Sequence, residues 1–279
     1  MTELAPGLYL VATPIGNLGD MTFRGLEVLK NVDIIGAEDT RHSRILLNYY
    51  EIKTPMISYH EHNAVKRREE LLSMLREGKS IALISDAGTP GISDPGEDLV
   101  KAAAAGGLPI HPIPGGNAVL SALTASGLPC GRFMFEGFLP RSNKERKARL
   151  NVLKQSSATL VIYISPHRLS ADLNDLLETL GDRPAVLCRE LTKVHETFYR
   201  QSLATLATRA KEEEFKGEMV LVVEAHVETT AEIPDEEVLR AELASLMSQG
   251  MKAKAAAQLV AEKYGMRKNA VYPLTFSES

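Results

Sequence analysis

The order of apolar and polar positions divides the chain into three stretches. From the amino terminus, short apolar runs occupy 8–12, 32–37, 56–59, 80–84 and 108–113. Between them, apolar residues recur at helical spacing over 22–30, 40–50, 64–77 and 97–105, and a further helix is read over 117–125 after a glycine-rich turn. Short, continuous, β-branched strands separated by helices predict a parallel sheet covered on both faces.

The second stretch opens near Phe133. Strand-like runs fall at 133–138, 159–164, 185–189, 197–200 and 219–223, with helices over 144–154, 167–180 and 202–213. The runs at 185–189 and 197–200 follow each other closely, which predicts a mixed sheet with some antiparallel pairing. Segment 227–235 is polar, carries a proline and reads as a linker, and the pattern beyond it is purely helical over 236–248, 253–264 and 268–272. The expected architecture is an N-terminal α/β domain over 1–128, a C-terminal α/β domain over 129–227, and a linker with a small helical tail over 228–279.

Composition narrows the class. A chain of 279 residues accommodates two domains, and 44% hydrophobic with 24% charged residues is a globular balance. The net charge of −4 means that any nucleic-acid contact needs a local basic surface. Cys130 and Cys188 form no CxxC or Cys/His cluster, so neither a disulfide framework nor a zinc site is expected. No secretory pattern opens the chain and no apolar run approaches the roughly 18 residues of a membrane span. A cytoplasmic protein with no membrane partner is expected.

The chemistry gathers at the strand ends. In an open α/β sheet, ligands bind beyond the carboxyl ends of the strands. The five ends carry Thr13-Pro14-Ile15-Gly16-Asn17, Glu38-Asp39-Thr40-Arg41-His42, His60-Glu61-His62-Asn63, Ser85-Asp86-Ala87-Gly88-Thr89-Pro90 leading to Asp94-Pro95-Gly96, and Pro112-Ile113-Pro114-Gly115-Gly116-Asn117. Each alone is an ordinary set of turn formers; five in succession mark a binding edge. No GxGxxG or GxxxxGK[ST] occurs, so dinucleotide and nucleoside triphosphate sites lack support. His60 and His62 have no third ligand at suitable spacing, and no metal is expected.

Thr13-Pro14-Ile15-Gly16-Asn17-Leu18, Ala37-Glu38-Asp39-Thr40-Arg41 and Ser85-Asp86-Ala87-Gly88-Thr89-Pro90 resemble motifs of the ribosomal RNA small subunit methyltransferase I family, in the tetrapyrrole methylase superfamily. The resemblance continues in order through Phe135-Glu136-Gly137-Phe138-Leu139-Pro140, Ser165-Pro166-His167-Arg168, Arg189-Glu190-Leu191-Thr192-Lys193 and Lys216-Gly217-Glu218-Met219-Val220, nearly spanning the chain. It implies two α/β domains with S-adenosyl-L-methionine in the cleft between them, and usually a homodimer. It implies 2′-O-methylation of a cytidine ribose in the decoding centre of 16S ribosomal RNA, with the small ribosomal subunit as partner. Tetrapyrrole-modifying relatives carry a glycine-rich first loop and Gly-Asp-Pro after the fourth strand. The departures here favour RNA over a corrin or porphyrin.

Cofactor contacts are expected from Pro14, Asp86, Ala87 and Gly88, with Asp86 as acceptor and Ala87-Gly88 permitting close approach to the backbone. Asn117 and Ala118 open a helix whose free N–H groups suit a carboxylate. From the second domain, the resemblance implies Ile164, Ser165, Leu191, Gly217, Glu218 and Met219 around adenine and the methionine chain. For the acceptor, Glu190 is a candidate base, and Lys193, Arg168 and Arg41 are candidate electrostatic supports. Arg189, Glu190 and Lys193 also read as an ordinary ion-pair network.

Arg141, Lys144, Arg146, Lys147 and Arg149 place five cations in nine residues, a solvated helix start or a phosphate clamp. Lys252, Lys254, Arg267 and Lys268 flank a helix–turn–helix-like tail and are further candidate RNA contacts. Tyr264 and Tyr272 are possible base-stacking residues or core residues. The alternatives are a small-molecule methyltransferase of the tetrapyrrole type and a non-catalytic RNA-binding factor on the same fold.

Overall fold

The computed structural model describes residues 4–60, 62–226 and 234–276. Most of the expected linker at 227–235, and Glu61 of the third strand end, lie outside the described residues. Contacts divide the chain into two compact units, one running to His226 and one beginning at Val227.

In the first unit, β1 (Gly7–Val11), β2 (Ile34–Ala37), β3 (Met56–Ser58), β4 (Ser80–Ile84) and β5 (Ile110–Ile113) form a sheet of order β3-β2-β4-β1-β5. All its pairings are parallel, as expected. The helices between are α1 (Phe23–Asn31), α2 (Thr40–Tyr49), α3 (Ala64–Arg76) and α4 (Glu97–Ala105). Successive side chains alternate across the sheet. Tyr9, Val11, Ala82 and Ile84 pack with Val28 and Leu29 of α1 and Leu47 of α2. Leu8, Ile81 and Leu83 face the other way, against Leu71, Leu72 and Leu75 of α3 and Leu99 and Ala103 of α4. Both faces are therefore covered, which explains why the strands read as continuous apolar runs.

The second sheet contains β6 (Phe133–Phe138), β7 (Thr159–Ile164), β8 (Pro184–Arg189), β9 (Thr197–Ser202) and β10 (Met219–Val223), in the order β6-β7-β10-β8-β9. Only β6 and β7 pair in parallel; the other pairings are antiparallel. The mixed character read from the close spacing of β8 and β9 is present. One face, through Leu160, Ile162, Leu187 and Leu221, packs on α6 (Asn143–Leu153), α7 (Leu169–Leu180) and α8 (Leu203–Glu212).

The opposite face, through Val161, Val186, Cys188, Val220 and Val222, packs on Val119, Ala122 and Leu123 of α5 (Ala118–Ser126). Thus α5 leaves the first sheet and seals the second. Ile15, from the loop after β1, joins the same apolar cluster, so that loop is anchored to the second sheet as well as the first.

The C-terminal unit holds α9 (Glu236–Ser248), α10 (Ala253–Lys263), the short α11 (Lys268–Val271) and a closing 3-10 turn. Ala256, Ala257, Val260 and Ala261 pack with Leu239, Leu243 and Val271. Three of the five alanines of α10, Ala256, Ala257 and Ala261, therefore supply this unit's own core. No helix among the described residues is long and apolar enough to cross a membrane.

Candidate active site

The chain leaves β1 toward β2 on one side and leaves β4 toward β5 on the other, so the connections reverse direction between β4 and β1. At that point the two loops are joined. Thr13 N–H donates to Gly88 O at 2.8 Å and Gly88 N–H donates to Thr13 O at 3.1 Å. The buried Thr13 hydroxyl donates to Ser85 O at 3.2 Å. Gly88 lies at φ +87°, a left-handed conformation that glycine adopts without steric cost.

Beside this bridge a cavity of about 380 Å³ opens between the two sheets, within the range of small-molecule sites. Ala87, Gly88, Asn117 and Ala118 line it from the first sheet, and Ile164, Ser165, Leu191, Gly217, Glu218 and Met219 from the second. These ten were expected around a cofactor. Pro14 and Asp86 differ: they line an adjoining hollow of about 260 Å³ that shares Ile15, Ala87 and Glu218 with the cavity. One Asp86 oxygen accepts the Asp39 N–H at 3.1 Å, so this carboxylate is partly used in holding the end of β2.

Asn117 caps α5, its side chain accepting from Leu120 N–H at 3.0 Å and donating to the Thr89 hydroxyl at 3.2 Å. That contact occupies one of the first-turn donors and ties the helix start to the β4 loop.

The cavity also contains residues that sequence reasoning passed over: Thr89, Ile92, Ser93, Asp94, Phe138 and Tyr163. Asp94 was read only as a turn former in Asp-Pro-Gly. Burial pushes its carboxyl up to about 6; a Ser85 hydrogen bond pulls it down, and the charges of Glu38 and Asp86 add to the rise. Glu38 is raised in turn, by burial first and then by Asp86. Tyr163 is pushed up to about 12 by burial and by Asp94. Its ring meets Phe135 and Phe138 edge-on, at 4.9 and 5.5 Å between centroids. The available signal was strand alternation, since Tyr163 shares the face of Val161, opposite Leu160 and Ile162.

The candidates for acceptor chemistry separate sharply. One Glu190 oxygen accepts from Glu218 N–H at 2.8 Å and from Lys193 Nζ at 2.9 Å. Lys193 also reaches Glu218 at 2.9 Å. The backbone bond from Glu218 and the Lys193 contacts outweigh burial and hold Glu190 below the usual carboxylate range. Burial pulls Lys193 down, but its bonds to Glu190 and Glu218 hold it above the ordinary value. Glu190 is thus poorly suited to accept a proton near neutrality. Its own φ is +52°, and Gly217, at φ +91°, leaves room for its carboxylate, which a Cβ there would strike.

Arg168 is turned away from electrostatic support of a ligand. It donates to Leu139 O and Pro140 O at 3.0 Å each and to Asp172 at 2.8 Å, clamping the turn between β6 and α6. Arg41 is an exposed side chain folded back on Asp39 at 3.0 Å.

The basic run after Pro140 is also divided. Arg146, expected as a phosphate contact, is buried. Its Nε donates to Asp175 at 2.6 Å and its Nη1 to Pro140 O and Arg141 O at 3.2 and 3.1 Å. Two carboxylates of α7 draw it inward, and it has no surface to offer RNA. Lys147 pairs with Glu178 at 3.2 Å, and Arg149 makes a two-pronged bond to Glu136 at 2.8 and 2.7 Å. Arg141 and Lys144 are exposed and make no ion pair among the described residues.

In the C-terminal unit, Lys252, Lys254 and Arg267 are exposed and Lys268 is half-buried. The Tyr264 hydroxyl donates to Glu242 at 2.7 Å, a tie within that unit. Tyr272 is exposed, edge-on to Phe276.

Residues 7–207 match the family model for Tetrapyrrole (Corrin/Porphyrin) Methylases. A Synechocystis relative, Ribosomal RNA small subunit methyltransferase I, is 48% identical, with 96% of each chain covered. The Escherichia coli O157:H7 protein of the same name is 46% identical over 95% of this chain and 93% of its own. Among solved structures, uroporphyrin-III C-methyl transferase from Thermus thermophilus, complexed with S-adenyl homocysteine, has a TM-score of 0.56 at 19% identity, covering 78% of this chain and 97% of that one. A conserved hypothetical protein from Aeropyrum pernix K1 has a TM-score of 0.63 at 17% identity, covering 97% and 95%. These two structures share the fold, and the first places that fold in a methyltransferase. With near-complete coverage at 46–48% identity, the chain belongs to the ribosomal RNA small subunit methyltransferase I family of the tetrapyrrole methylases.

Proposed function

We propose that this chain transfers a methyl group from S-adenosyl-L-methionine to the ribose 2′-hydroxyl of a cytidine in the decoding centre of 16S ribosomal RNA. The observation that carries the reading is the cavity at the switch point, walled by both sheets and bordered by a helix start, in a chain of this family.

The residues present fit the cofactor. Ile164, Leu191 and Met219 offer apolar cover to adenine. The start of α5 offers N–H groups of Ala118 and Val119 to a carboxylate, the Leu120 N–H being already taken by Asn117. Asp94 offers a carboxylate to a cationic centre. When bound, the cofactor supplies an electrophilic methyl on a sulfonium.

The chain's part is position and electrostatics. Orienting a hydroxyl in line with the methyl is worth up to roughly 7–11 kcal/mol in favourable cases. Lys193, which lines the adjoining hollow, is the proposed electrostatic support for a developing alkoxide, while Glu190 holds Lys193 and the Gly217–Glu218 turn. Arg141, Lys144 and the exposed cations of the C-terminal unit are the proposed phosphate contacts.

A homodimer on the small ribosomal subunit completes the reading. Its support on this chain is the open edge of β6, where Phe133 and Met134 remain exposed. Incorporation of labelled methyl into 30S subunits, free 16S RNA and a precorrin tests the reaction class. Label in RNA alone is expected, and label in the precorrin alone would establish the small-molecule alternative.

A further inference from the structure

Two carboxylates line the cavity, Asp94 and Glu218. Glu218 is largely exposed to solvent and is paired with Lys193 at 2.9 Å, a lysine it shares with Glu190. Asp94 has no basic group within 4 Å among the described residues. The other charged neighbours that act on it are Glu38, at the end of β2, and Asp86, in the β4 loop, both of its own sign. Tyr163 of β7 faces it, with Phe138 packed against that ring at 5.5 Å. The loop bearing Asp94 is held close to the second sheet: Ser93 is a non-glycine residue at φ +61°, and its hydroxyl would lie 3.3 Å from a Cβ at Gly137. A half-buried carboxylate without a counter-ion, beside two aromatic rings, has the chemistry of a cation-binding corner.

We propose that Asp94, with Tyr163 and Phe138, makes the cleft discriminate by charge, favouring a cationic sulfonium donor over the neutral thioether left after methyl transfer. The inference rests on the reading that the cavity takes S-adenosylmethionine, and it goes beyond it by assigning donor-over-product preference to one side chain. Donor and product share the same adenosine, ammonium and carboxylate, and they differ in one methyl and one positive charge. A carboxylate near the sulfur would strengthen donor binding more than product binding, because the ammonium attraction is common to both, and the product would be held more weakly once the sulfonium charge is gone.

The sign of the pH dependence follows from burial, which raises Asp94 to about 6. Above that value Asp94 is ionised and attracts the sulfonium. Below it the proton removes the charge and the preference fades. The charges of Glu38 and Asp86 act on Asp94 and add to the negative field while ionised. Glu218 is paired with Lys193 and mostly solvent-exposed, so screening keeps its share of the difference small.

The test is calorimetric titration of the full chain with S-adenosylmethionine and S-adenosylhomocysteine, from pH 5 to 8, on wild type, Asp94→Asn and Asp94→Glu, with thermal melts to verify folding. Wild type is expected to favour the donor more at pH 8 than at pH 5, by about tenfold, the factor that one unit of pKa coupling carries. Asp94→Asn should flatten that dependence and lower the donor-to-product ratio, and Asp94→Glu should restore part of it. A folded Asp94→Asn protein that keeps the wild-type ratio and pH slope overturns the proposal, as does an equal loss of both ligands. If wild type binds neither ligand, the cofactor reading falls and this inference with it, an outcome distinct from both ligands binding with an unaltered ratio.

Discussion

Thr13 and Gly88 exchange two main-chain hydrogen bonds, 2.8 and 3.1 Å long, across the carboxyl ends of β1 and β4. The bridge fixes the floor between the cavity and the adjoining hollow, and it requires residue 88 at φ +87°. Gly88→Val should cost about 1–2 kcal/mol from the left-handed backbone alone. That corresponds to a Tm drop of about 2–4 °C per kcal/mol for a unit of this size. Affinity for S-adenosylhomocysteine should fall with it. Unchanged melting and unchanged affinity would show that the bridge does not shape the site.

Arg146 and Lys144 should behave in opposite ways, although both belong to the same basic run. Arg146 is buried against Asp172 and Asp175, so Arg146→Ala leaves Asp175 without its counter-ion, while Asp172 keeps Arg168, and should destabilise by about 3 kcal/mol. Lys144→Ala, at an exposed position, should leave Tm unchanged. It should weaken RNA binding and reduce the salt slope by about one unit if the side chain meets a phosphate. Filter binding across a salt series, with melts of both variants, checks the contrast.

Glu190 should prove a positioning residue. Its folded carboxyl is depressed, so its stabilisation is present above the ordinary carboxylate range and is lost as pH falls through the depressed value. Glu190→Gln should therefore flatten the stability curve at the acid end. It should lower kcat by loosening Lys193, yet keep whatever acidic limb wild type shows in its pH–rate profile. Disappearance of that limb in Glu190→Gln would restore Glu190 as the base.

The C-terminal cations provide a separate check on RNA binding. Reversing Lys252, Lys254 and Arg267 to Glu should leave S-adenosylhomocysteine affinity unaltered and weaken RNA binding across sequences. An unaltered salt slope would assign these residues to solvated surface.

The elements were legible because short continuous apolar runs mark most strands and three-to-four spacing marks the helices in both α/β stretches. Strand boundaries moved by a residue or two, as with β1 and the longer β9, where pairing sets the end. Most cavity-lining positions were legible because they lie at strand termini: the parallel sheet carries its carboxyl ends to one edge, and in the second sheet the start of β10 lies beside the end of β7. Pairing between distant side chains was less accessible. Nothing around Arg146 signals that α7 would bring two carboxylates to it, or that Arg168 would bend back to Leu139 and Pro140. Asp94 was obscured by a good turn sequence, since Asp-Pro-Gly satisfies local rules whether or not its carboxylate faces a cavity. The crossing of α5 onto the second sheet had a visible trace, a helix rich in Ala and Leu without a charged residue.

The most direct test of the central claim is the chemical position of the transferred methyl. 30S subunits from a strain lacking the endogenous enzyme are incubated with this protein and isotopically labelled S-adenosylmethionine. The 16S RNA is then digested to nucleosides and fragments for mass spectrometry. A single labelled 2′-O-methylcytidine within the decoding centre is the predicted result. Label on a base, label at another nucleoside, or no label in RNA with active cofactor binding would contradict the account.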